Sequence, residues 1–143
     1  MARGIPSDVI KHFQAIPLFA NVSKKHLRAI IAAATEVDVK AGTVLVREGG
    51  TDRDLFVILR GEAAVTQKAK RLTTLGTGDF FGELAFLDHS PRTATVTATT
   101  DMRVVVVGAR EIGDVIEKDP VVAQRMLATL AQRVRQNERS AQH

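Results

Sequence analysis

One stretch of the chain, residues 78–96 with the sequence GDFFGELAFLDHSPRTATV, combines residue types that suit an anionic ligand. A glycine precedes an acidic residue and a helix-compatible run, and backbone N–H groups pointing out of such a turn form an anion site. Gly82 would let the backbone approach a ligand closely. Arg92 then enters a strand rich in threonine and valine, where a buried guanidinium needs an anionic partner such as a phosphate. Glu83 accepts hydrogen bonds at neutral pH and suits a sugar hydroxyl.

The same residues also have plainer interpretations. Glu83 and Arg92 could pair with each other as a structural salt bridge, and Thr93 could be an ordinary strand threonine. Phe80 and Phe81 fit a hydrophobic core better than a stacking platform for a base.

Catalytic and metal chemistry have little support in the sequence. There are no cysteines, and the four histidines show no metal-ligand spacing. An enzyme built on a similar barrel, such as a cupin, would need clustered His and Glu ligands. We therefore expect a binding protein rather than an enzyme, with no metal and no cofactor.

The segments on either side of a central region have helical character. Ser7 could cap a short first helix that Pro17 ends, and Ser23 could cap a second with apolar residues at helical spacing, which places helices at about 7–34. Between Glu36 and Val107 the chain changes to short β-rich runs separated by glycines. Strands at this spacing predict a small antiparallel barrel or jelly roll.

The carboxyl-terminal part returns to helical patterning, at about 110–137. Residues 110–118 predict one short helix, after which Asp119 and Pro120 fit the N-cap and first position of a long helix to about Asn137. The apolar stripe of that helix is wider than one barrel requires. Two interpretations remain open: one broad core face, or a face shared with a second subunit.

Composition limits the function further. The 143 residues suit one domain, and 45% hydrophobic with 25% charged residues is an ordinary globular balance. The net charge of +4 could serve solubility or attract an anion, but the basic residues form no long run that would indicate a nucleic-acid surface. No apolar stretch approaches a membrane span, and residues 1–7 lack a signal-peptide core, so a cytoplasmic location is expected.

Residues 81–85, FGELA, followed by residues 91–95, PRTAT, resemble the phosphate-binding cassette of cyclic-nucleotide-binding domains. The resemblance extends to the opening IPLF, the turn at Gly42, the Glu48-Gly49-Gly50 turn, the strand and turn at 55–61, and the Asp119-Pro120 pair. It implies a mainly β fold with flanking helices, a double-stranded β-helix (jelly roll) of about eight strands at 36–107, as one domain over residues 1–143.

The resemblance also implies roles for particular residues. Phe81 opens the cassette, Glu83 would bind the ribose 2′-hydroxyl and Arg92 the cyclic phosphate, and main-chain N–H groups of Gly82, Leu84, Ala85 and Ala94 would assist. Thr93 could reach the phosphate or the 2-amino group of a syn guanine. The base would rest on Val65, Leu72 and Leu75 and be covered by Arg133 and Asn137 of the last helix, which lacks the aromatic lid found in the family.

We accordingly expect a non-catalytic sensor that binds cyclic AMP in preference to cyclic GMP and moves its terminal helices in response. Its partners would be the nucleotide, an effector protein or domain, and a second copy held through the last helix; direct contact with nucleic acid or membrane is not expected. The alternatives are the sensory half of a catabolite-activator-type transcription regulator, that of a nucleotide-gated channel, and a jelly-roll interaction module without ligand. The chain ends about where a helix-turn-helix would begin in such a regulator.

Overall fold

The computed structural model describes residues 7–82 and 91–141, with side chains of the last helix through Gln136. Its helices are α1 (Ser7–Gln14), a 3₁₀ turn (Pro17–Phe19), α2 (Lys24–Ala32), α3 (Ala109–Lys118) and α4 (Pro120–Ala141). The strands among these residues are β1 (Ala34–Val39), β2 (Val44–Val46), β3 (Leu55–Arg60), β4 (Ala63–Gln67), β5 (Lys70–Leu75), β6 (Phe80–Phe81), β7 (Thr95–Ala98) and β8 (Met102–Val107).

The strands form two four-stranded antiparallel sheets. One has the order β1-β8-β3-β6 and the other β2-β7-β4-β5. Neighbours in each sheet are mostly distant in sequence, as a jelly roll requires. The expected mainly β fold with flanking helices is therefore confirmed.

Period-2 alternation divides the core into two apolar clusters. On β3, Leu55 and Val57 pack with the helices, while Ile58 points into the space between the sheets. On β8, Val105 and Val107 face the helices, and Met102 and Val104 the other sheet. Because both faces of these strands are covered, their sequences are continuous apolar runs rather than alternating ones. The helices therefore lie on the outer face of the β1-β8-β3-β6 sheet.

Local signals set several helix boundaries. The Ser23 hydroxyl accepts a hydrogen bond from the backbone N–H of His26 (3.3 Å) and caps α2, and Asp119 accepts one from Val121 (3.0 Å) and caps α4. Both caps were predicted. Ser7 is the first residue of α1 rather than a cap before it, and the span predicted as helical at 7–34 contains two helices and a 3₁₀ turn.

β6 was not predicted. The two residues of this strand, Phe80 and Phe81, point to opposite sides of the sheet, one into each apolar cluster. A strand of two residues is too short to show an alternating pattern. In agreement with the prediction, both phenylalanines belong to the core, at 3% and 4% exposure.

No helix within the described ranges has the length and hydropathy needed to cross a bilayer.

Candidate binding site

The Arg92 guanidinium is the centre of the site. Arg92 lies three residues before β7 and not in the strand that we expected it to enter, and only 5% of the residue is exposed. Its Nη2 donates to a carboxylate oxygen of Asp52 (2.6 Å) and to the Asp54 carbonyl (2.8 Å), and its Nη1 donates to the Gly82 carbonyl (2.9 Å). These contacts satisfy the charge and hold the cation in one orientation, as a buried arginine requires.

One nitrogen of this guanidinium has no hydrogen-bond partner in the described part of the chain. Arg92 Nε is buried and has no hydrogen-bond partner among the described residues. The guanidinium carbon lies 5.8 Å from the centre of the Phe56 ring, which stacks on Phe81 at 4.9 Å. An unpaired buried N–H is costly, so this edge of the guanidinium can donate a hydrogen bond to one more anionic or carbonyl oxygen.

Gly82 is required by its contact with Arg92. Its φ is +92°, and a β-carbon at this position would overlap Arg92 Nη1 and lie 2.7 Å from the Asp54 carbonyl oxygen. The sequence predicted that the absent side chain would admit a ligand. In this structure the absent side chain makes room for the arginine that the ligand would meet.

A turn before β3 holds the backbone of Arg92 from the other side. The Arg92 N–H donates to the Gly50 carbonyl (2.8 Å), and the Gly49 N–H donates to the Arg92 carbonyl (2.8 Å). The Thr95 hydroxyl accepts from the N–H of Glu48 (2.9 Å). The side chain and the backbone of Arg92 are thus both anchored to the segment at 48–54.

Asp52 is the site residue that sequence reasoning missed. The glycine turn at 48–50 was noted, but an aspartate in a polar loop gives no signal of its own. Only the general requirement of a buried arginine for an anion could have prompted a search for it. Its side chain is 52% exposed, against 3% for Arg92, so solvent reaches the aspartate of this pair but not the arginine.

The β4–β5 hairpin reaches the same region. Its Gln67 side-chain amide donates to the Thr93 carbonyl (3.0 Å), and the N–H of Lys68 donates to the Glu48 carboxylate (2.9 Å). Thr93 itself is exposed and Ala94 partly buried, so both remain accessible beside Arg92.

The three apolar residues expected beneath a base occupy different environments. Val65 on β4 is partly buried and pairs with Val96 and Thr73. Leu72 is 51% exposed, at the point where the β4–β5 register shifts by one residue. Leu75 is 7% exposed and packs between the sheets, so it has little surface left for a ligand. Val65 and Leu72 are the better placed.

Arg133 is engaged elsewhere than over the barrel. Its Nη2 donates to the Phe80 carbonyl, and its guanidinium lies 5.0 Å from the centre of the Phe80 ring. We expected this side chain to cover a bound base. In this structure it ties α4 to the strand that leads into the cassette.

Several predicted residues lie outside the part of the chain that the structure describes. They are Glu83, Leu84 and Ala85 of the cassette and the side chain of Asn137. Among the described side chains, no three His, Asp or Glu residues come together as metal ligands. The described geometry is that of an oriented cation with one free donor, which suits an anion.

Known proteins resemble this chain in sequence and in fold. A family model, Cyclic nucleotide-binding domain, matches residues 36–119, more than half of the chain. A cyclic nucleotide-gated potassium channel of Rhizobium etli is 30% identical over 129 residues, covering 88% of this chain and 36% of the channel. A cAMP-dependent protein kinase regulatory subunit of Yarrowia lipolytica is 34% identical over 115 residues, covering 73% of this chain and 31% of the subunit.

A solved structure shares the fold. The regulatory domain of Toxoplasma gondii protein kinase A, crystallised with cAMP, superimposes with a TM-score of 0.70 at 28% identity, covering 78% of this chain and 46% of that one. The chain spans about a third of the length of the two relatives described above.

Proposed function

The chain belongs to the cyclic nucleotide-binding domain family, and we propose that it reversibly binds a cyclic nucleotide, cyclic AMP in preference to cyclic GMP, and reports the binding through its last helix. Domains of this family serve in kinase regulatory subunits, transcription regulators and channels. The activity of the whole protein would depend on the effector that this domain controls.

The observation that carries the proposal is the environment of Arg92. Nε and Nη2 form one edge of a guanidinium, and a phosphate binds such an edge through two oxygens. Among the described residues, Nε of Arg92 has no partner, and Nη2 is held by the half-exposed Asp52. A cyclic phosphate at this edge would satisfy Nε and compete with Asp52 for Nη2. Asp52 is therefore proposed to stand in for the ligand when the site is empty.

The remaining ligand contacts are assigned by the family motif. Glu83 is proposed to accept from the ribose 2′-hydroxyl, and the N–H groups of Gly82, Leu84, Ala85 and Ala94 to hold the phosphate. Val65 and Leu72 are proposed to support the base. Leu75 would contribute mainly by supporting those two, because it is already buried.

Preference for cyclic AMP rests on two side chains. The Thr93 hydroxyl can favour a syn guanine but can equally serve the phosphate of either nucleotide. The Asn137 amide can accept from the adenine amino group and donate to a ring nitrogen. Because one or two hydrogen bonds distinguish the bases, the preference should be modest, about 1–3 kcal/mol.

Signal transmission is proposed to run from the cassette to α4 through Phe80. This residue lies two positions before Gly82, whose carbonyl binds Arg92, and its own carbonyl binds Arg133 of α4. A ligand that draws Arg92 and Gly82 together would act on the strand to which the last helix is tied. The free energy with which the ligand can shift the helix equals the difference between its binding free energies for the two helix positions.

Calorimetric titration with cyclic AMP, cyclic GMP and AMP tests the proposal. We expect heat and a rise in melting temperature with the cyclic nucleotides, and much weaker binding of AMP, whose dianionic phosphate does not match a site for a cyclic monoanion. Absence of heat and of a melting shift with both cyclic nucleotides at millimolar concentration would refute the proposal and favour the interaction module without ligand. Tighter binding of cyclic GMP would refute only the base preference.

A further inference from the structure

A single buried carboxylate, that of Asp119, joins three helices. Asp119 is 5% exposed and lies between α3 and α4. Its N–H donates to the Val115 carbonyl and ends α3 (2.7 Å), and its Oδ1 accepts from the Val121 N–H and begins α4 (3.0 Å). The other carboxylate oxygen, Oδ2, is directed at the start of α2.

The contacts of Oδ2 are with His26 and Ser23. His26 Nδ1 lies 2.9 Å from Oδ2, and the Ser23 N–H donates to it at 3.4 Å. The same Nδ1 lies 2.9 Å from the Ser23 hydroxyl oxygen, which caps α2. Because the ionised carboxylate oxygen Oδ2 can only accept, Nδ1 must carry a hydrogen. The first turn of α2 is thereby fastened to the α3–α4 junction.

The charge on the histidine determines whether this joint contains an ion pair or a hydrogen bond alone. Burial acts to raise the pKa of Asp119, but the hydrogen bonds from His26, Val121 and Ser23 and the attraction of a charged His26 together hold that pKa below its ordinary value of 3.8. The carboxylate is thus ionised near neutrality. A histidine in general changes charge near pH 6.5. A neutral His26 donates a hydrogen bond, whereas a protonated one adds an ion pair.

Other charges near the joint do not replace this pair. Among the described side chains, His26 is the one whose charge acts on Asp119. The other charged residues of α2 near the joint are Lys24, Lys25 and Arg28, which are exposed. On α3 they are the exposed Glu117 and the Lys118–Asp114 pair. On α4 the nearby charge is Arg125, which donates to the Leu18 and Ala20 carbonyls.

We propose that His26 and Asp119 form a proton-sensitive latch, in which acidification through the titration range of histidine tightens the hold of α2 on the α3–α4 junction. The side chains are 20% and 6% exposed, so solvent screens their attraction less than it would on the surface. The latch acts on the base of α4 and does not depend on ligand binding.

A double-mutant cycle tests the latch in the ligand-free chain. His26→Gln keeps a donor without a titrating charge, and Asp119→Asn keeps a residue that caps helices well. Urea unfolding of the four proteins at about pH 5.5 and about pH 8, on either side of the histidine range, gives the coupling between the two positions. We expect a coupling of about fivefold or more in the unfolding equilibrium constant at the lower pH and a smaller one at the higher pH. Equal coupling at both values would overturn the proposal.

Distances within the chain supply a second measurement that does not need Asp119→Asn to fold. The chain has no cysteine, so nitroxide labels can be placed on Ala29→Cys in α2 and Gln132→Cys in α4, both at exposed positions. The distance distribution should narrow on acidification in the parent and stay unchanged in His26→Gln. If the distance distribution between the labels in the parent does not change with pH, the latch is contradicted.

His12 provides a matched control. It also contacts a carboxylate, that of Glu36 at 2.7 Å, but its side chain is 48% exposed and it joins α1 to β1 rather than to the α3–α4 junction. His12→Gln should retain the pH response of the labels. Loss of the response in this variant would assign it to the wrong histidine and overturn the proposal. His89 and His143 are present in every variant, so any contribution they make to the pH response is the same in all of them.

Discussion

At the scale of single residues, the site is built around a cation whose partners are supplied mainly by the protein itself. Arg92 is held by one carboxylate and two carbonyls, from Asp52, Asp54 and Gly82. These groups orient the guanidinium in advance, so a ligand need not spend its binding free energy on ordering it. A bound anion would have to displace Asp52 from Nη2, or share that nitrogen with it, and accept a hydrogen bond from Nε.

Arg92→Ala should abolish most of the binding of cyclic AMP. Removing one partner of a buried charge pair costs about 2–5 kcal/mol, which is roughly 30-fold to several thousand-fold in affinity. Calorimetry on the purified variant measures the loss, and circular dichroism verifies that the variant is folded.

Arg103→Ala is the matched control for this prediction. Arg103 also pairs with two carboxylates, those of Glu36 and Asp38, but on the β1–β8 side of the molecule. Affinity in this variant should stay within about twofold of the parent. A folded Arg92→Ala variant that binds cyclic AMP as well as Arg103→Ala does would show that Arg92 does not hold the ligand.

Gly82→Ala should destabilise the chain more than Gly42→Ala. Both glycines have positive φ, +92° and +91°, so the backbone cost of a side chain is similar in the two. A β-carbon at Gly42 meets nothing within 4 Å, whereas at Gly82 it overlaps Arg92 and crowds Asp54. The difference in free energy of unfolding should be at least about 1 kcal/mol. Urea unfolding of the two variants measures it, and equal destabilisation would show that Arg92 moves aside without cost.

At the scale of elements, the last helix is attached to the rest of the fold at three successive points. Asp119 fixes its start to α2, Arg125 binds the carbonyls of Leu18 and Ala20 at the 3₁₀ turn, and Arg133 binds Phe80 at β6. These anchors carry little apolar area compared with the buried residues Val122 and Met126 at the start of the helix. The carboxyl-terminal half of α4 is therefore the part most easily released.

Arg133→Ala should release that half without unfolding the domain. The change removes the hydrogen bond to the Phe80 carbonyl and the contact with its ring, together worth about 1–2 kcal/mol. Amide hydrogen exchange should quicken several-fold in residues 128–141 and stay unchanged in α3. Arg135→Ala, at an exposed position on the same helix, is the control and should leave exchange unaltered. Equal rates in both variants would show that Arg133 does not hold the helix.

At the scale of the whole molecule, one apolar surface has no covering element among the described residues. Leu127 and Val134 on α4 are 65% and 55% exposed. With Ala123 and Leu130 they follow a spacing of four, three and four residues, which is the a and d pattern of a two-helix seam. Of the two interpretations of the broad stripe, this exposure favours a face shared with a second copy.

We expect the chain to dimerise through this surface, and Leu127→Glu should convert that dimer into a monomer. A charge in the seam would be desolvated on association, so the dimerisation constant should fall by at least tenfold, about 1.4 kcal/mol. The melting temperature of the monomer should change little, because Leu127 is mostly exposed within one chain. Sedimentation equilibrium measures the change, with Gln136→Glu as the control outside the seam. A parent chain that is monomeric at all concentrations tested would refute the seam.

Features that lie within a short length of chain could be predicted from the sequence. The cassette residues are consecutive in two runs, and the caps at Ser23 and Asp119 bond to residues three and two positions ahead. The alternation of apolar residues and the glycine turns indicated the β-roll, because period and backbone conformation are local properties. The strand pattern predicted a small barrel or jelly roll, and the family was predicted from the resemblance of the cassette residues to a known motif.

Only the tertiary structure decided which distant groups became partners. Asp52 and Arg92 are 40 residues apart, Phe80 and Arg133 are 53 apart, and His26 and Asp119 are 93 apart. The sequence around one member of each pair does not predict its partner, because their proximity results from the order of strands in two sheets and from the docking of helices on one of those sheets. The sequence by itself determined that Arg92 needs an anion. The fold decided that Asp52 pairs with Arg92, that Arg133 contacts β6, and that one buried aspartate joins three helices.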